Sequence, residues 1–177
     1  MEETLIRPPR TIMEVFKMLP ETTLAEVIDK TLSMSPAPSP SHQRILQKIF
    51  KKIDDYVEAN SLGEVFISPI DLFLDEHSNA IQPDLIFLSS GDSVHADETG
   101  LHGTPAFILE VLSPGNTKHD TVTKKELYER FKVKEYWIVD PKSRKAIGYT
   151  LSGNRYTVMD ECTGSTNSTL LKNTFPF

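Results

Sequence analysis

Three side chains stand where their surroundings make chemistry hard to avoid. Glu110 lies inside Ala106-Phe107-Ile108-Leu109-Glu110-Val111-Leu112, six apolar residues around one carboxylate. An unpaired charge in such a strand would cost several kcal/mol or shift its pKa, so Glu110 must be paired, protonated or metal-bound. Asp84 opens the apolar run Leu85-Ile86-Phe87-Leu88, directly after Pro83, which fixes how the strand is entered. Lys124 shares one helical face with Leu127, Tyr128 and Phe131 if Asp120 to Phe131 is a helix, whereas Lys125 is turned about 100° away. A lysine on the inward face is costly unless it meets an anion or a site, or snorkels to the helix edge. A short turn at Pro114-Gly115 joins the strand of Glu110 to the helix of Lys124, so the two could meet. A plain Glu110–Lys124 ion pair would satisfy both, and Asp84 taken alone could be an ordinary strand-end aspartate.

The surrounding pattern says which elements must carry these groups. Thr11 to Leu19 reads as a short helix closed by Pro20, and Leu24 to Met34 as a hairpin. Ser35 to Pro40 reads as a Pro-rich connector, with Ser41 capping a helix whose Ile45, Ile49, Ile53 and Val57 recur at helical spacing. Strands are expected at Glu64–Ile67, Asp71–Leu74, Asp84–Leu88 and Ala106–Leu112, the last buried on both faces. Further strands follow at Glu135–Asp140, Lys145–Leu151 and Arg155–Met159. Ser89 to Gly103 reads as a polar surface loop, in which His95, Asp97 and His102 could bind a metal. The order helix, strands, helix, strands gives an α/β or α+β architecture around a mixed sheet.

Composition narrows the function classes. The chain has 177 residues, 25% of them charged and 38% hydrophobic, a net charge of −6 and one cysteine. That suits a single domain over residues 1–177, with 1–23 as an N-terminal extension. Cys162 alone excludes a disulfide scaffold and points to a reducing, cytoplasmic setting. One Cys and five scattered His offer no structural zinc spacing. No apolar run approaches the roughly 20 residues that span a bilayer, and the N-terminus lacks a signal-peptide pattern. The acidic total argues against a protein that coats nucleic acid nonspecifically. Charge is unevenly distributed, however: Asp71 to Gly100 holds seven acids and no Lys or Arg, while His42 to Lys52 holds Arg44, Lys48, Lys51 and Lys52 and no acid.

Several blocks resemble one known family. They are Glu26-Val27-Ile28-Asp29, Met34 to Pro40 with His42, Gln82-Pro83-Asp84, Pro105 to Pro114, Asp120 with Lys124 and Tyr128, and Glu135 to Pro141. Together, over roughly Glu26 to Leu151, they are similar to the Uma2 family (DUF820) of restriction-endonuclease-like proteins. That resemblance implies the PD-(D/E)xK nuclease fold, a central mixed sheet flanked by helices. It implies Asp84 and Glu110 as ligands of Mg²⁺ or Mn²⁺, aided by the backbone carbonyl of Val111, and Lys124 as the catalytic lysine. Glu26 resembles a further acid of the site. Leu112 stands where the standard motif has its lysine; the family similarly carries that lysine on the next helix.

Two positions depart from the family pattern: Lys30-Thr31 for a more usual Gly-Glu, and Lys132 for a usual Gly. The implied activity is metal-dependent hydrolysis of DNA phosphodiester bonds. Because cutting two strands calls for two sites, a homodimer is expected, and the run lengths leave no membrane association expected. Two other classes stay open. One is an inactive nuclease-fold module for nucleic-acid binding or dimerisation, the other a structural protein with a buried Glu–Lys pair.

Overall fold

The structure, a computed structural model, describes residues 7–20, 22–113 and 117–177. The expected Pro114-Gly115 turn and the first six residues of the N-terminal extension lie outside these. The backbone is built on a six-stranded sheet whose middle strands are the apolar runs seen in the sequence. Its strands are β3 (Gly63–Ile67), β6 (Leu85–Ser89), β9 (Phe107–Val111), β10 (Glu135–Val139), β11 (Lys145–Ser152) and β12 (Arg155–Thr163). They run in the order β12-β11-β10-β9-β6-β3. β9 and β10 are parallel, and every other pair in this sheet is antiparallel. Both parallel strands are buried throughout, as expected of strands covered on both faces.

Alternation along the strands sends side chains into two different cores. Leu85, Phe87, Phe107, Leu109, Val111, Trp137 and Val139 face helix α2 (Pro40–Ala59), which contributes Ile45, Leu46, Ile49, Ile53 and Val57. Each of these fully buried aliphatic side chains contributes about 1.5–3 kcal/mol relative to exposure. Trp137 fits because Gly148 lies opposite: a Cβ there would stand 2.6 Å from the indole. Ile86, Leu88, Ile108, Tyr136 and Ile138 face the other way. They meet α3 (Lys125–Arg130) and a second six-stranded sheet.

That second sheet runs β2-β1-β5-β4-β8-β7. Its strands are β1 (Ala25–Ile28), β2 (Thr31–Met34), β4 (Leu72–Asp75), β5 (Asn79–Ile81), β7 (His95–Asp97) and β8 (Gly100–His102). Ala25 and Val27 of β1 turn outward to Met13 and Phe16 of α1 (Ile12–Lys17), so Glu26 between them turns inward. The fold class expected from the sequence, an α/β or α+β arrangement around a mixed sheet, is the one observed, with a second mixed sheet and few helices.

Four local expectations are corrected. The helix begins at Pro40 with Ser39, not Ser41, as N-cap; the Ser39 hydroxyl accepts from the His42 N–H at 3.3 Å. Proline is well suited to the first helical position, where its missing N–H has no intrahelical partner to lose. The expected loop from Ser89 to Gly103 contains the β7–β8 hairpin, anchored by the burial of Leu101. The short strand β5 completes the second sheet through its register with β1 and β4. Residues beyond Met159 continue β12 and then form the hairpin of β13 (Ser165–Ser168) and β14 (Asn173–Pro176). That hairpin packs Phe175 against α2 and is tied to β10, because the Leu170 N–H and Thr169 hydroxyl donate to Glu135 Oε2.

Candidate active site

The candidate site lies where β6 begins and β9 ends. Leu85 pairs with Leu109, so the antiparallel register continues with Asp84 beside Glu110. The Asp84 N–H donates to Glu110 Oε2 at 3.3 Å, and the Val111 N–H donates to Asp84 Oδ2 at 2.7 Å. Alternation in β9 directs Glu110 away from α2, toward the helical segment after the strand and toward β1. There Glu110 Oε1 accepts from Lys124 Nζ at 2.9 Å and from the Tyr128 hydroxyl at 2.7 Å.

The residues leading into α3 do not form the regular α-helix expected from Asp120. His119–Lys124 is a π-helical segment, followed by α3. In an α-helix His119 and Lys124, five residues apart, would diverge by about 140°. The wider π turn aligns residues i and i+5, and both side chains consequently reach the same carboxylate. Glu26 accepts from Lys124 Nζ at 2.8 Å through Oε1 and lies 3.0 Å from His119 Nε2 through Oε2. The Gln82 N–H also donates to Glu26 Oε1. Asp120 Oδ1 lies 3.8 Å from Lys124 Nζ. The Tyr136 hydroxyl donates to the Asp120 carbonyl, holding the segment to the sheet.

The structure therefore brings Asp84, Glu110, Lys124 and Glu26 together, with Val111 beside them. Sequence reasoning did not assign roles to His42, His119, Asp120, Tyr128 or Gln82. Asp120 and Tyr128 each lie four residues from Lys124, and that spacing was the available signal. His42 was visible only within the family blocks, and nothing local pointed to His119. His42 Nε2 lies 3.0 Å from Asp84 Oδ2, while its buried Nδ1 has no hydrogen-bond partner. His95, Asp97 and His102 belong to a different place, the outer edge of the second sheet. There His102 contacts Glu76 and stacks on Phe73.

A cavity of about 160 Å³ opens over this cluster, lined by Glu26, His42, Asp84, Glu110, Asp120 and Lys124, with Ser35, Pro36 and Pro38 at its rim. Three carboxylates, Glu26, Glu110 and Asp120, thus crowd Lys124 at 2.8–3.8 Å, with Asp84 beside Glu110. Burial pushes Glu110 up to about 8, against Lys124 and with Asp84, Asp120 and Glu26 adding to the rise. Burial likewise lifts Asp120 to about 6, again opposed by Lys124. Glu26 goes the other way: burial would raise it, but Lys124 and His119 hold it down to about 2. Burial disfavours the Lys124 ammonium, yet Glu110, Glu26 and Asp120 together keep it protonated well above the usual range. The two partners of the Glu110–Lys124 contact thus point in different directions. Geometry favours a charged Lys124 paired with ionised Glu26, and a Glu110 that resists ionisation as the surplus negative charge.

This donor set suits a hard divalent cation. Its groups are oxygens, it carries more negative than positive charge, and the adjoining cavity has room for water. Among the described residues no three Asp, Glu, His or Cys side chains converge as a metal-binding set. Mg²⁺ is commonly held by one or two carboxylates with several waters retained.

Asp84, just before β6, and Glu110, in β9, thus meet Lys124 of the π-helical segment beside a mixed sheet of an α/β protein. The chain belongs to the Uma2 family, whose model, described as "Putative restriction endonuclease", matches residues 13–176. Its fold is similar to that of a crystal structure from Anabaena variabilis ATCC 29413 described as a putative nuclease belonging to DUF820. The TM-score is 0.73 with 17% identity, over 93% of this chain and 92% of that one. No curated protein matches the sequence. Among the described residues no helix is long and apolar enough to cross a membrane.

Proposed function

We propose that this chain is a metal-dependent DNA endonuclease that hydrolyses phosphodiester bonds at the Asp84–Glu110–Lys124 cluster. The observation that carries the reading is the cavity floor. The carboxylates of Asp84 and Glu110, at neighbouring strand ends joined by the Asp84 N–H donating to Glu110, lie beside a buried lysine, under an opening that can admit a phosphate. Asp84, Glu110 and the Val111 carbonyl would hold Mg²⁺ or Mn²⁺. When bound, such an ion polarises the phosphate and lowers the pKa of a water.

The chain's own residues do the rest. Lys124 stays protonated, so it acts by stabilising developing negative charge and orienting water rather than by accepting a proton. Glu26 and Tyr128 fix the positions of Lys124 and Glu110 respectively. His42 fixes Asp84, as partners of ligating groups commonly do. Two-strand cleavage calls for two sites, which favours a homodimer with two-fold symmetry. The unpaired Cys162 fits a reducing cytoplasm.

One observation favours a second reading, an inactive nuclease-fold module. Glu110 Oε1 is already shared by Lys124 and Tyr128, as in a purely structural ion pair. Plasmid nicking in Mg²⁺ or Mn²⁺, with Mn²⁺ calorimetry on wild type and Glu110→Ala, separates the two. Nicking that disappears in both Asp84→Asn and Lys124→Gln, in folded proteins, supports the endonuclease. Absence of metal binding in the millimolar range, even with DNA present, refutes it.

A further inference from the structure

Helix α2 has a second face that the candidate site does not use. Arg44, Lys48, Lys51 and Lys52 are all exposed. Among the described residues none of the four forms an ion pair, although Arg7, Lys17, Lys124, Arg130, Lys134 and Arg155 each do. Their placement is ordered. Arg44, Lys48 and Lys52 follow at four-residue intervals, about 6 Å apart along the axis, with Lys51 alongside. Gln43 and Gln47 continue the same spacing back toward the start of the helix, where Gln43 and His42 line the cavity over Glu110 and Asp84.

A row of exposed cations, Arg44 to Lys52, thus extends about 12 Å along α2, starting within one turn of the cavity-lining His42 and Gln43. Near its far end Lys48, Lys51 and Lys52 border a hollow of about 360 Å³ floored by Pro176 and Phe177. On α2 itself Asp54, Asp55 and Glu58 follow the row toward the helix end, but among the described residues they form no ion pair with it. The acids of Asp71 to Gly100 sit mostly elsewhere. α2 covers one face of the main sheet, and the second sheet, which carries Asp75, Asp97 and Glu98 on or between its strands, covers the opposite face.

We propose that this α2 face is the track for the sugar–phosphate backbone of the DNA whose scissile bond enters the cavity. The proposal rests on the endonuclease reading and adds to it where the flanking nucleotides lie. A backbone presents one anion per nucleotide in a regular row, which an evenly spaced row of cations complements without reading sequence. Lysine and arginine in this arrangement position the duplex, leaving any sequence preference to other elements.

The test is fluorescence anisotropy of a labelled 20-base-pair duplex in chelator, from low to moderate salt. It compares wild type with the triple variant Lys48→Gln, Lys51→Gln, Lys52→Gln, alongside nicking of the same DNA with metal present. The substituted residues are exposed and unpaired; equal far-UV spectra and urea midpoints establish that the variant is folded. Expected is at least tenfold weaker binding, with the slope of log affinity against log salt reduced by about 2–3. A less conservative variant carrying Arg44→Glu and Lys48→Glu should lose more. Binding within twofold of wild type at an unchanged slope overturns the track while wild-type nicking still supports the nuclease. A wild type that neither binds nor nicks DNA overturns the nuclease reading and this one with it.

Discussion

Replacing Lys124 with methionine tests the electrostatic account of the site most directly. Nζ lies 2.8 Å from Glu26, 2.9 Å from Glu110 and 3.8 Å from Asp120, and all four side chains are buried. At an effective dielectric near 20, the Lys124–Glu26 contact is worth roughly 6 kcal/mol of Coulomb attraction, and Glu110, raised to about 8, adds a comparable attraction only where it is ionised. Most of that offsets the cost of taking the ions out of water. Removing one side of a buried pair leaves that cost without its compensation, a net loss of about 3–5 kcal/mol. Against a total stability of about 5–15 kcal/mol, this is a large fraction.

The loss should depend on pH, because the orphaned carboxylates can take up protons. It should be largest near pH 8 and smaller near pH 5. Urea unfolding at both values, in chelator, should show the midpoint of Lys124→Met lowered by more than about 1 M at pH 8. Adding Glu26→Gln and Glu110→Gln should restore over half of the loss. A Lys124→Met midpoint within about 0.3 M of wild type at pH 8, or a greater loss at pH 5 than at pH 8, would refute the assignment.

Other expectations follow from the same geometry. His42→Ala should weaken Mn²⁺ binding by calorimetry about 10–100-fold, and His42→Asn should recover part of it by donating to Asp84; equal affinities would remove His42 from the site. In chelator, wild-type stability should peak near pH 5. Glu110 and Asp120 have folded pKa values raised to about 8 and about 6, so they bind protons more readily when folded, and their contribution is lost as pH rises through those values. Glu26, lowered to about 2, contributes above its unfolded value of 4.5 and loses that contribution as pH falls toward 2. Urea midpoints that climb steadily from pH 5 to 8 would contradict this. Lys132→Gly should stabilise by about 0.5–1 kcal/mol, a thermal midpoint rise of roughly 2 °C, because Lys132 holds φ +65° just after α3; a fall in midpoint would count against the backbone-strain reasoning.

The two family departures illustrate what a sequence shows and what it conceals. Lys132 and Lys30 both adopt positive φ, the conformation that favours the glycine more usual at each. Sequence alone flagged these positions, and only backbone geometry says what the exchange costs. Similarly, Ser39-Pro40 and Ser41 are all acceptable at a helix start; the difference lies in which hydroxyl faces the free N–H of His42. The β5 strand and the β7–β8 hairpin escaped notice because three-residue strands carry too little pattern, and their partners decide them. The C-terminal hairpin was missed for a related reason: its polar strands are held by Glu135 and by Phe175 docking on α2, not by local preference.

The sequence by itself determined the apolar strands, the amphipathic α2, and the presence of an acid within β9 and a lysine on an inward face. Those follow from period and burial cost, which are properties of nearest neighbours in the chain. Tertiary structure decided what the acid and lysine meet. The β6–β9 register puts Asp84 beside Glu110, the inward face of β1 delivers Glu26 from far away in sequence, and the π-helical turn aligns His119 with Lys124. None of these is local, because each depends on a strand pairing or a packed surface formed between distant segments. The net charge of −6 underwent the same change of meaning. As a sum it argued against nucleic acid, but the fold buries several acids around Lys124 and leaves the cations of α2 exposed and unpaired.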